Sequence, residues 1–317
     1  MLKNKVFYRG INLGGWLSQC DYSEEKLNHF IKESDFAKIA SWGLDHVRIP
    51  IDYNILENAD GSFNKNGFAR IDWALEMCRK YNLNTVIDLH KTAGYSFDNY
   101  GESEAGFFDS DELQERFYRL WEEIAKHYGQ YSENVAFELL NEVTDISYID
   151  SWNRISNECI KRIRTITSDT IILVGSYENN SASSVPALTA PYDDKVIYNF
   201  HCYEPLKFTH QGAYWTDAIN PKNRLSFDES NITPEFFEEL FAPAIEAAKN
   251  NSTTLYCGEF GVIDIVSPED TLKWFKTINS VLDKHGIARC AWSYKEMDFG
   301  ISDSRLDDVR DELIGYI

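Results

Sequence analysis

The sequence lacks any regular spacing of cysteines. Six occur among 317 residues, and none stands in a Cys-x-x-Cys motif. A disulfide framework or a structural zinc site is therefore not expected, because both usually need closely spaced cysteines. Unpaired cysteines of this kind behave as small buried hydrophobes, and they suit a reducing cytoplasm or an anaerobic environment.

Long apolar runs are also missing. No stretch approaches the roughly 18 apolar residues that a membrane-spanning helix needs. The first eight residues, Met-Leu-Lys-Asn-Lys-Val-Phe-Tyr, contain no apolar core of a secretion signal. We therefore expect a soluble chain. Its location stays open between the cytoplasm and the cell exterior, because a leader that has been removed leaves no trace in the sequence.

Positive charge is scarce as well. The chain has 31 Lys and Arg against 51 Asp and Glu, which gives a net charge of −20. Such a surface repels nucleic acid, anionic membranes and acidic polysaccharides, so an uncharged substrate and a monomer without nucleic-acid or membrane partners are expected. Aromatic residues are plentiful by contrast, at 14% of the chain. They exceed the needs of a core and offer flat rings on which sugars stack.

Eight apolar, strand-like runs alternate with segments of helical period. Their nearly continuous hydrophobicity is typical of parallel strands that are covered on both faces. The runs are residues 7–12, 46–51, 84–89, 135–140, 171–174, 196–200, 254–258 and 287–292. Helices are predicted at residues 34–42, 68–81, 109–128, 151–167, 234–249 and 268–284. Because no polar linker divides the chain, we predict one α/β domain over residues 1–317, a (β/α)₈ TIM barrel.

One connection is unusually long. About thirty residues separate the sixth strand from the helix that begins near Pro234, and they include Tyr203, Phe208, His210, Tyr214, Trp215 and Phe227. Loops of this length inside a compact domain are usually functional. We expect this aromatic-rich insertion to form a wall of the substrate site; the alternative is a small flap with its own core.

Two carboxylates follow buried strands. The apolar run Val135–Leu140 leads into Asn141-Glu142, and the run Thr254–Gly258 leads into Glu259. The C-terminal ends of barrel strands meet on the face where active sites lie, so Glu142 and Glu259 are expected to be neighbours. A pair of carboxylates acting on one substrate is what glycoside cleavage requires.

Other strand ends bring further polar and aromatic side chains to the same face. The physical requirements of glycoside cleavage assign Glu142 as the protonated acid/base and Glu259 as the ionised nucleophile. A positive charge and a hydroxyl donor would favour the ionised form of Glu259. The supporting residues are Arg48 and Tyr203 beside Glu259, Asn141 for the sugar 2-hydroxyl, Trp292 as a floor, and His90 and His201 to bind hydroxyls or tune Glu142.

The motifs that carry these residues resemble those of glycoside hydrolase family 5 along the whole chain. They are Arg48-Ile-Pro, Asp88-Leu-His90, Leu-Leu-Asn141-Glu142, His201-Cys-Tyr203, Gly258-Glu259-Phe-Gly and Ala-Trp292. Within that family the sequence resembles clostridial cellulases of the endoglucanase C type. The resemblance implies a retaining endo-β-1,4-glucanase that acts by double displacement, without a cofactor or a metal.

Substrate specificity stays open at this point. Val143 replaces a proline common in the family, and Lys91 stands where many members have a second His or an Asn. Mannan, β-1,3-glucan, mixed-linkage glucan and xyloglucan are alternative substrates, and an exo-acting, β-glucosidase-like enzyme is an alternative mode. The candidates for lining the cleft are Trp16, Glu57, Lys91, Tyr95, Trp215 and the segment Tyr95–Tyr100.

Two other classes of protein remain to be weighed. A metal-dependent barrel hydrolase would use Asp88, His90 and His201 as ligands, although the first strand lacks the His-x-His typical of such sites. In the family 5 interpretation, Asp88 instead orients a neighbour. A non-catalytic sugar-binding barrel would be expected to lose one carboxylate, whereas both Glu142 and Glu259 are present.

Overall fold

Eight parallel strands pair in sequence order and close into a barrel in the computed structural model, which describes residues 7–98, 104–216 and 218–317. The predicted (β/α)₈ fold is confirmed. Each of the eight strands falls on one of the predicted apolar runs. They are β1 (Arg9–Asn12), β2 (His46–Asp52), β3 (Asn84–Lys91), β4 (Val135–Glu138), β5 (Ile172–Gly175), β6 (Val196–Cys202), β7 (Leu255–Phe260) and β8 (Ala288–Ala291).

Helices cover the outside of the barrel. The six predicted helices are present with shifted ends, and short ones join them. The helices are α1 (Glu24–His29), α2 (Glu33–Ser41), α3 (Tyr53–Leu56), α4 (Lys65–Lys80), α5 (Asp111–Tyr128), α6 (Ile149–Arg164), α7 (Tyr177–Asn180), α8 (Leu206–Thr209), α9 (Pro234–Asn250), α10 (Pro268–His285) and α11 (Arg310–Ile314). Short 3₁₀ turns occur at Gly129–Tyr131, Ile146–Tyr148, Ala182–Ala187, Asp228–Ser230 and Ser304–Leu306.

Local sequence explains where the long helices begin. The Ser110 side chain accepts a hydrogen bond from the Leu113 N–H and so caps the start of α5. Ser267 caps α10 in the same way, and Pro268 occupies the first turn, where its missing N–H is not needed. Gly286 ends α10 with φ +64°, a conformation that glycine adopts without strain.

The core has two parts. A small cluster fills the N-terminal end of the barrel, and a larger one packs the strands against the helices. All six cysteines lie in these buried regions as unpaired thiols. Every residue of β2 is buried, as expected of a strand covered on both faces. Within the described residues, no helix is long and apolar enough to cross a bilayer.

The long connection between β6 and α9 contains both a small core and exposed rings. Phe208 is fully buried, and its ring packs edge-on against Phe227 at a centroid distance of 6.1 Å. Tyr214 and Trp215 remain exposed. The insertion therefore has a small core, as the flap alternative predicts, and also an exposed aromatic surface, while its role as a wall of the substrate site stays a prediction.

Candidate active site

Arg48, on β2, lies at the centre of a buried group of polar side chains. Its Nε and Nη2 donate to the two carboxylate oxygens of Glu138 on β4, each at 2.7 Å. Its Nη1 donates to Glu259 Oε1 at 2.7 Å and to Asn12 Oδ1 at 2.9 Å. A planar guanidinium with five donors can hold several acceptors in one arrangement. Arg48 therefore fixes side chains of β1, β4 and β7 relative to one another.

The same guanidinium also reaches β3. Arg48 Nη2 lies 3.1 Å from Asp88 Oδ2, and this oxygen lies 2.6 Å from His90 Nδ1. Burial raises the pKa of Asp88 to about 7, although Arg48 opposes the rise. The His90 ring stacks on Trp292 with centroids 5.9 Å apart and an interplanar angle of 2°. Asp88 therefore orients His90 against the face of Trp292.

Glu259 is held at both oxygens. Arg48 donates to Oε1, and the Tyr203 hydroxyl donates to Oε2 at 2.8 Å. Burial, followed by the charge of Glu259, raises the pKa of Tyr203 well above its usual value, so the hydroxyl keeps its proton. A shift of register between Phe200 and His201 in β6 pairs His201 with Glu259 on β7. Both partners expected for Glu259 thus lie on its carboxylate.

The backbone of Glu142 is held by Tyr95. Glu142 has φ +38°, an uncommon conformation for a residue with a side chain. The Tyr95 hydroxyl donates to the Glu142 carbonyl at 2.6 Å and accepts from the Thr144 N–H at 2.9 Å. Tyr95 was predicted to line the cleft, but its ring is buried and its hydroxyl is used by this loop. Tyr95 therefore positions Glu142 through its hydroxyl, while a contact between its ring and the substrate stays a prediction.

The carboxyl group of Glu142 has a different environment from that of Glu259. Its Oε1 lies 2.8 Å from His201 Nδ1, and its Oε2 accepts from Asn179 Nδ2 at 3.0 Å. Burial raises the pKa of Glu142, and the hydrogen bond from Asn179 partly opposes the rise. Burial lowers the pKa of His201 to about 4, so this imidazole is neutral at neutral pH. Among the residues that the structure describes, no Lys or Arg pairs with Glu142, whereas Arg48 donates to Glu259.

The two glutamates are close neighbours. One carboxylate oxygen from each, together with a ring nitrogen of His201, lie within 4.8 Å of one another. Retaining glycosidases have carboxyl groups about 5–5.5 Å apart, whereas inverting enzymes separate them by about 6.5–9.5 Å to admit a water. The close approach of these oxygens fits direct attack by one carboxylate and the shorter spacing of retaining enzymes.

Asn141 has an unused donor beside this pair. Its Oδ1 accepts from Arg48 Nη2 at 2.9 Å, which fixes the orientation of the amide. Its Nδ2 is buried and has no hydrogen-bond partner among the described residues. A buried donor without a partner is costly, so an acceptor on a bound molecule is expected at this place.

Two predicted cleft residues, Trp215 and Lys91, differ in exposure, and their contact with substrate stays a prediction. The Trp215 side chain is 46% exposed and belongs to a chain of aromatic contacts through His210 and Phe299. Both of those rings also contact Tyr203, so the aromatic surface is continuous with the residue that holds Glu259. Lys91 is nearly buried, with Nζ 3.2 Å from Asp98 Oδ1. Residues 99 and 100 of the predicted segment Tyr95–Tyr100 lie outside the described residues.

Two other predicted cleft residues do not face a cleft. Trp16 is 1% exposed, and its indole N–H donates to the Leu27 carbonyl at 2.9 Å. Glu57 is 3% exposed, with Oε2 2.8 Å from Arg116 Nε and Oε1 3.4 Å from Arg119 Nη2 on α5. The first ring packs in the core and the second carboxylate joins a helix to the barrel, so a contact of either with the substrate stays a prediction without support from these positions.

Several site residues were missed by the sequence argument. Glu138 had a visible signal, since it is a charged residue inside an apolar strand. Asn199 Nδ2 donates to Glu138 Oε1 at 2.8 Å, and Asn12 accepts from Arg48. Asn179 gives no signal in the sequence, because it stands among other polar residues after β5 rather than at the end of an apolar run.

The residues proposed for a metal site are not brought together. Within the described residues, the ligand-type side chains that converge are Glu142, His201 and Glu259, rather than Asp88, His90 and His201. His90 Nδ1 and Asp88 are already paired with each other. The metal-hydrolase alternative therefore lacks its predicted ligand set.

Comparison with known proteins agrees with this geometry. The family model described as "Cellulase (glycosyl hydrolase family 5)" matches residues 7–298. The chain is 58% identical to Cellodextrinase A from Ruminococcus flavefaciens, over 100% of this chain and 94% of the relative. It is 37% identical to Endoglucanase C from Acetivibrio thermocellus, over 98% of each chain.

Solved structures give the same result. Endoglucanase Cel5A from Thermotoga maritima superposes with a TM-score of 0.83 at 29% identity, covering 99% of this chain and 97% of that one. The same enzyme is described in complexes with cellobiose and with mannotriose. The fold, the pair of glutamates and the match over nearly the whole chain lead to one conclusion: the chain belongs to the cellulases of glycosyl hydrolase family 5 and is a glycoside hydrolase.

Proposed function

We propose that the protein cleaves internal β-1,4 linkages of glucan chains with retention, with Glu259 as nucleophile and Glu142 as acid/base. The observation that carries this proposal is the pair of carboxylates within 4.8 Å in unlike environments. Arg48 and Tyr203 donate to Glu259, and the pKa of Glu142 is raised by burial. An ionised nucleophile beside a protonated acid is the state that begins a double displacement.

In the first step Glu259 attacks the anomeric carbon. A carbon–oxygen bond to the carboxylate forms while the glycosidic bond breaks, and Glu142 gives its proton to the departing oxygen. In the second step Glu142, now ionised, takes a proton from water. The water oxygen bonds to the anomeric carbon, and Glu259 leaves as a carboxylate. Two inversions give net retention.

The remaining side chains bind and orient the sugar. Asn141 Nδ2 is fixed by Arg48 through its other amide atom, and it is available to donate to the 2-hydroxyl. Such a bond strengthens as the ring becomes oxocarbenium-like. Trp292, backed by His90, offers an aromatic face to the reacting sugar.

The names of relatives support a β-1,4-glucan substrate. A second candidate is a preference for short, soluble cello-oligosaccharides, because the relative that is 58% identical is called a cellodextrinase. The mannotriose complex of the Thermotoga maritima enzyme keeps β-mannan as a substrate to test. We propose that residues 1–317 form a single catalytic domain. The protein then acts as a monomer on uncharged glycans, without nucleic acid as a partner.

Azide rescue tests the two roles separately. With an aryl β-cellobioside that has a good leaving group, Glu142→Ala should form the glycosyl-enzyme, and azide should then give the β-glycosyl azide. Glu259→Ala should instead give the α-glycosyl azide, because azide attacks from the opposite face. Reversed anomers would show that the roles are exchanged, and no azide product from either variant would contradict double displacement.

Substrate and mode are tested with a panel of carboxymethyl-cellulose, lichenan, mannan, laminarin and cello-oligosaccharides. An endo enzyme lowers the viscosity of carboxymethyl-cellulose before many reducing ends have accumulated. A cellodextrinase releases reducing ends from cellotetraose or cellopentaose with little change in viscosity of the polymer. Glu259→Gln is the matched inactive control. Faster hydrolysis of mannan than of any glucan would overturn the substrate proposal.

A further inference from the structure

A left-handed turn follows β5 and lies against the acid/base loop. Glu178, Asn179 and Asn180 have φ of +52°, +55° and +55°. Asparagine tolerates this region better than most residues. The Asn179 N–H donates to the Val143 carbonyl at 3.1 Å, so the turn is joined to the residue that follows Glu142. Strained backbone of this kind is typical of functional sites.

The turn directs two adjacent amides toward the acid/base. Asn179 Nδ2 donates to Glu142 Oε2 at 3.0 Å. Asn180 is fully buried, and its Nδ2 lies 3.4 Å from His201 Nε2. The other ring nitrogen of His201 lies 2.8 Å from Glu142 Oε1. One oxygen of Glu142 is thus contacted by Asn179 of the turn, and the other is contacted by His201, whose second ring nitrogen faces Asn180 of the turn.

Glu142 and Asn180 together indicate one tautomer of His201: Glu142 Oε1 lies 2.8 Å from Nδ1, and the Asn180 amide, whose Oδ1 has no partner among the described residues, turns its Nδ2 toward Nε2. An amide N–H can only donate, so the nitrogen it faces must be the acceptor of the neutral imidazole. The proton is then on Nδ1, which donates to Glu142. Gly175 has to be a glycine here, because a Cβ on it would lie 2.3 Å from Asn180 Oδ1. The end of β5 is therefore shaped to receive this amide.

We propose that Asn179 and Asn180 are positioning residues that give Glu142 two N–H donors, one directly and one by fixing the tautomer of His201. The inference rests on the proposed role of Glu142 as acid/base. Two donors stabilise the carboxylate that must form when the leaving group departs. They also hold the group in one orientation for both steps of the reaction.

Other groups face Glu142 from neighbouring elements and act on it in every variant. They are Arg48 on β2, Asp88 and His90 on β3, Asp98 after β3, Tyr95 in the same connection, His201, Tyr203 and Glu204 in and after β6, and Glu259 on β7. Burial lowers the pKa of His201, which supports a neutral ring with one N–H that can donate from either Nδ1 or Nε2.

The first test removes the donor of Asn179. Asn179→Gly keeps a residue that accepts positive φ, so loss of the amide is separated from backbone strain. A hydrogen bond to a charged group corresponds to at least about one pKa unit. The basic limb of the kcat/KM profile should therefore move upward by about one pH unit. Asn231→Gly is the control, since Asn231 is also left-handed, with φ +52°, but is exposed.

An unchanged basic limb in Asn179→Gly would overturn the direct part of the proposal. Asn179→Asp is the second variant in case the glycine variant folds poorly. It keeps the shape but replaces the donor with a carboxylate, so the limb should move upward further. A limb in Asn179→Asp that stays at the wild-type pH would contradict the proposal as well.

The second test observes the tautomer directly. In ¹⁵N NMR of the wild-type protein, His201 should carry its proton on Nδ1 and none on Nε2, with its signals assigned through His201→Gln. In Asn180→Asp the new acceptor should cause Nε2 to gain a proton. A wild-type His201 protonated on Nε2 would overturn the proposal. Failure of the azide experiment with Glu142→Ala would instead reject the role of Glu142 and leave the tautomer result standing.

Discussion

Glu138→Gln is the substitution that most directly tests how the site is built. Glu138 is fully buried on β4 and receives two hydrogen bonds from Arg48 at 2.7 Å and one from Asn199 at 2.8 Å. A glutamine has the same shape but only one acceptor oxygen and no charge. One amide N–H must then face an Arg48 or Asn199 donor.

The expected loss can be worked out from these contacts. Breaking a buried ion pair from one side costs about 3–5 kcal/mol. A chain of 317 residues has an unfolding entropy of roughly 0.7 kcal/mol per degree, at about 2.1 cal/mol/K for each residue. The melting temperature should therefore fall by about 4–7 °C. Activity should fall as well, because Arg48 also holds Glu259, and a charge-assisted contact loosened by about 1.5–3 kcal/mol corresponds to roughly a 10- to 100-fold loss in kcat/KM.

Glu57→Gln is the matched control. Glu57 is also buried and paired with two arginines of α5, yet within the described residues no hydrogen bond or ion pair joins it to Glu142 or Glu259. Its partners are partly exposed, so a smaller loss of stability and an unchanged kcat/KM are expected. Differential scanning calorimetry and initial rates on one cello-oligosaccharide measure both effects. A Glu138→Gln enzyme with wild-type kcat/KM would refute the reasoning.

Three further outcomes are expected. The pKa of Asp88 is raised to about 7, so between about pH 4 and 7 the folded state retains a proton that the unfolded state has lost. The resulting contribution to the free energy of unfolding is full below about pH 4 and is lost as the pH rises through 7. The free energy of unfolding of Asp88→Asn should therefore depend less on pH between 5 and 8 than that of the wild type, and an equal slope would contradict the raised pKa. Trp215→Ala should raise KM for long substrates more than for cellobiosides, because its exposed ring would stack on a sugar unit of the longer chain. Equal effects on both substrates would contradict such stacking. Tyr95→Phe should lower kcat several-fold without changing KM, since its hydroxyl holds the backbone of Glu142; full kcat would contradict this.

The environment of the two carboxylates explains why a buried ionic network is retained here. Arg48, Asp88, Glu138 and Glu259 are all buried or nearly so. A network of this kind contributes little net stability compared with apolar packing. Its effect is to hold the Glu259 carboxylate in one place beside an acid whose charge is disfavoured. We infer that this arrangement is kept for the position of the nucleophile rather than for folding.

The sequence alone determined the barrel and the two catalytic candidates. Eight apolar runs with intervening helical periods can close only a limited set of parallel sheets, and a charged residue directly after such a run is visible without coordinates. Arg48 and Tyr203 could be assigned to Glu259 because strand ends in a barrel share one face. These inferences depend on periodicity and order, which are local properties of the chain.

Only the tertiary structure decided which side chains touch. Trp16 and Tyr95 are of residue types that often stack on sugars. Packing buries the first and directs the hydroxyl of the second to the Glu142 loop. Asn179 and Asn180 became visible only when the left-handed turn after β5 brought them to Glu142 and His201. The direction of a side chain depends on backbone angles and on neighbours remote in sequence, and no local pattern of residues records either.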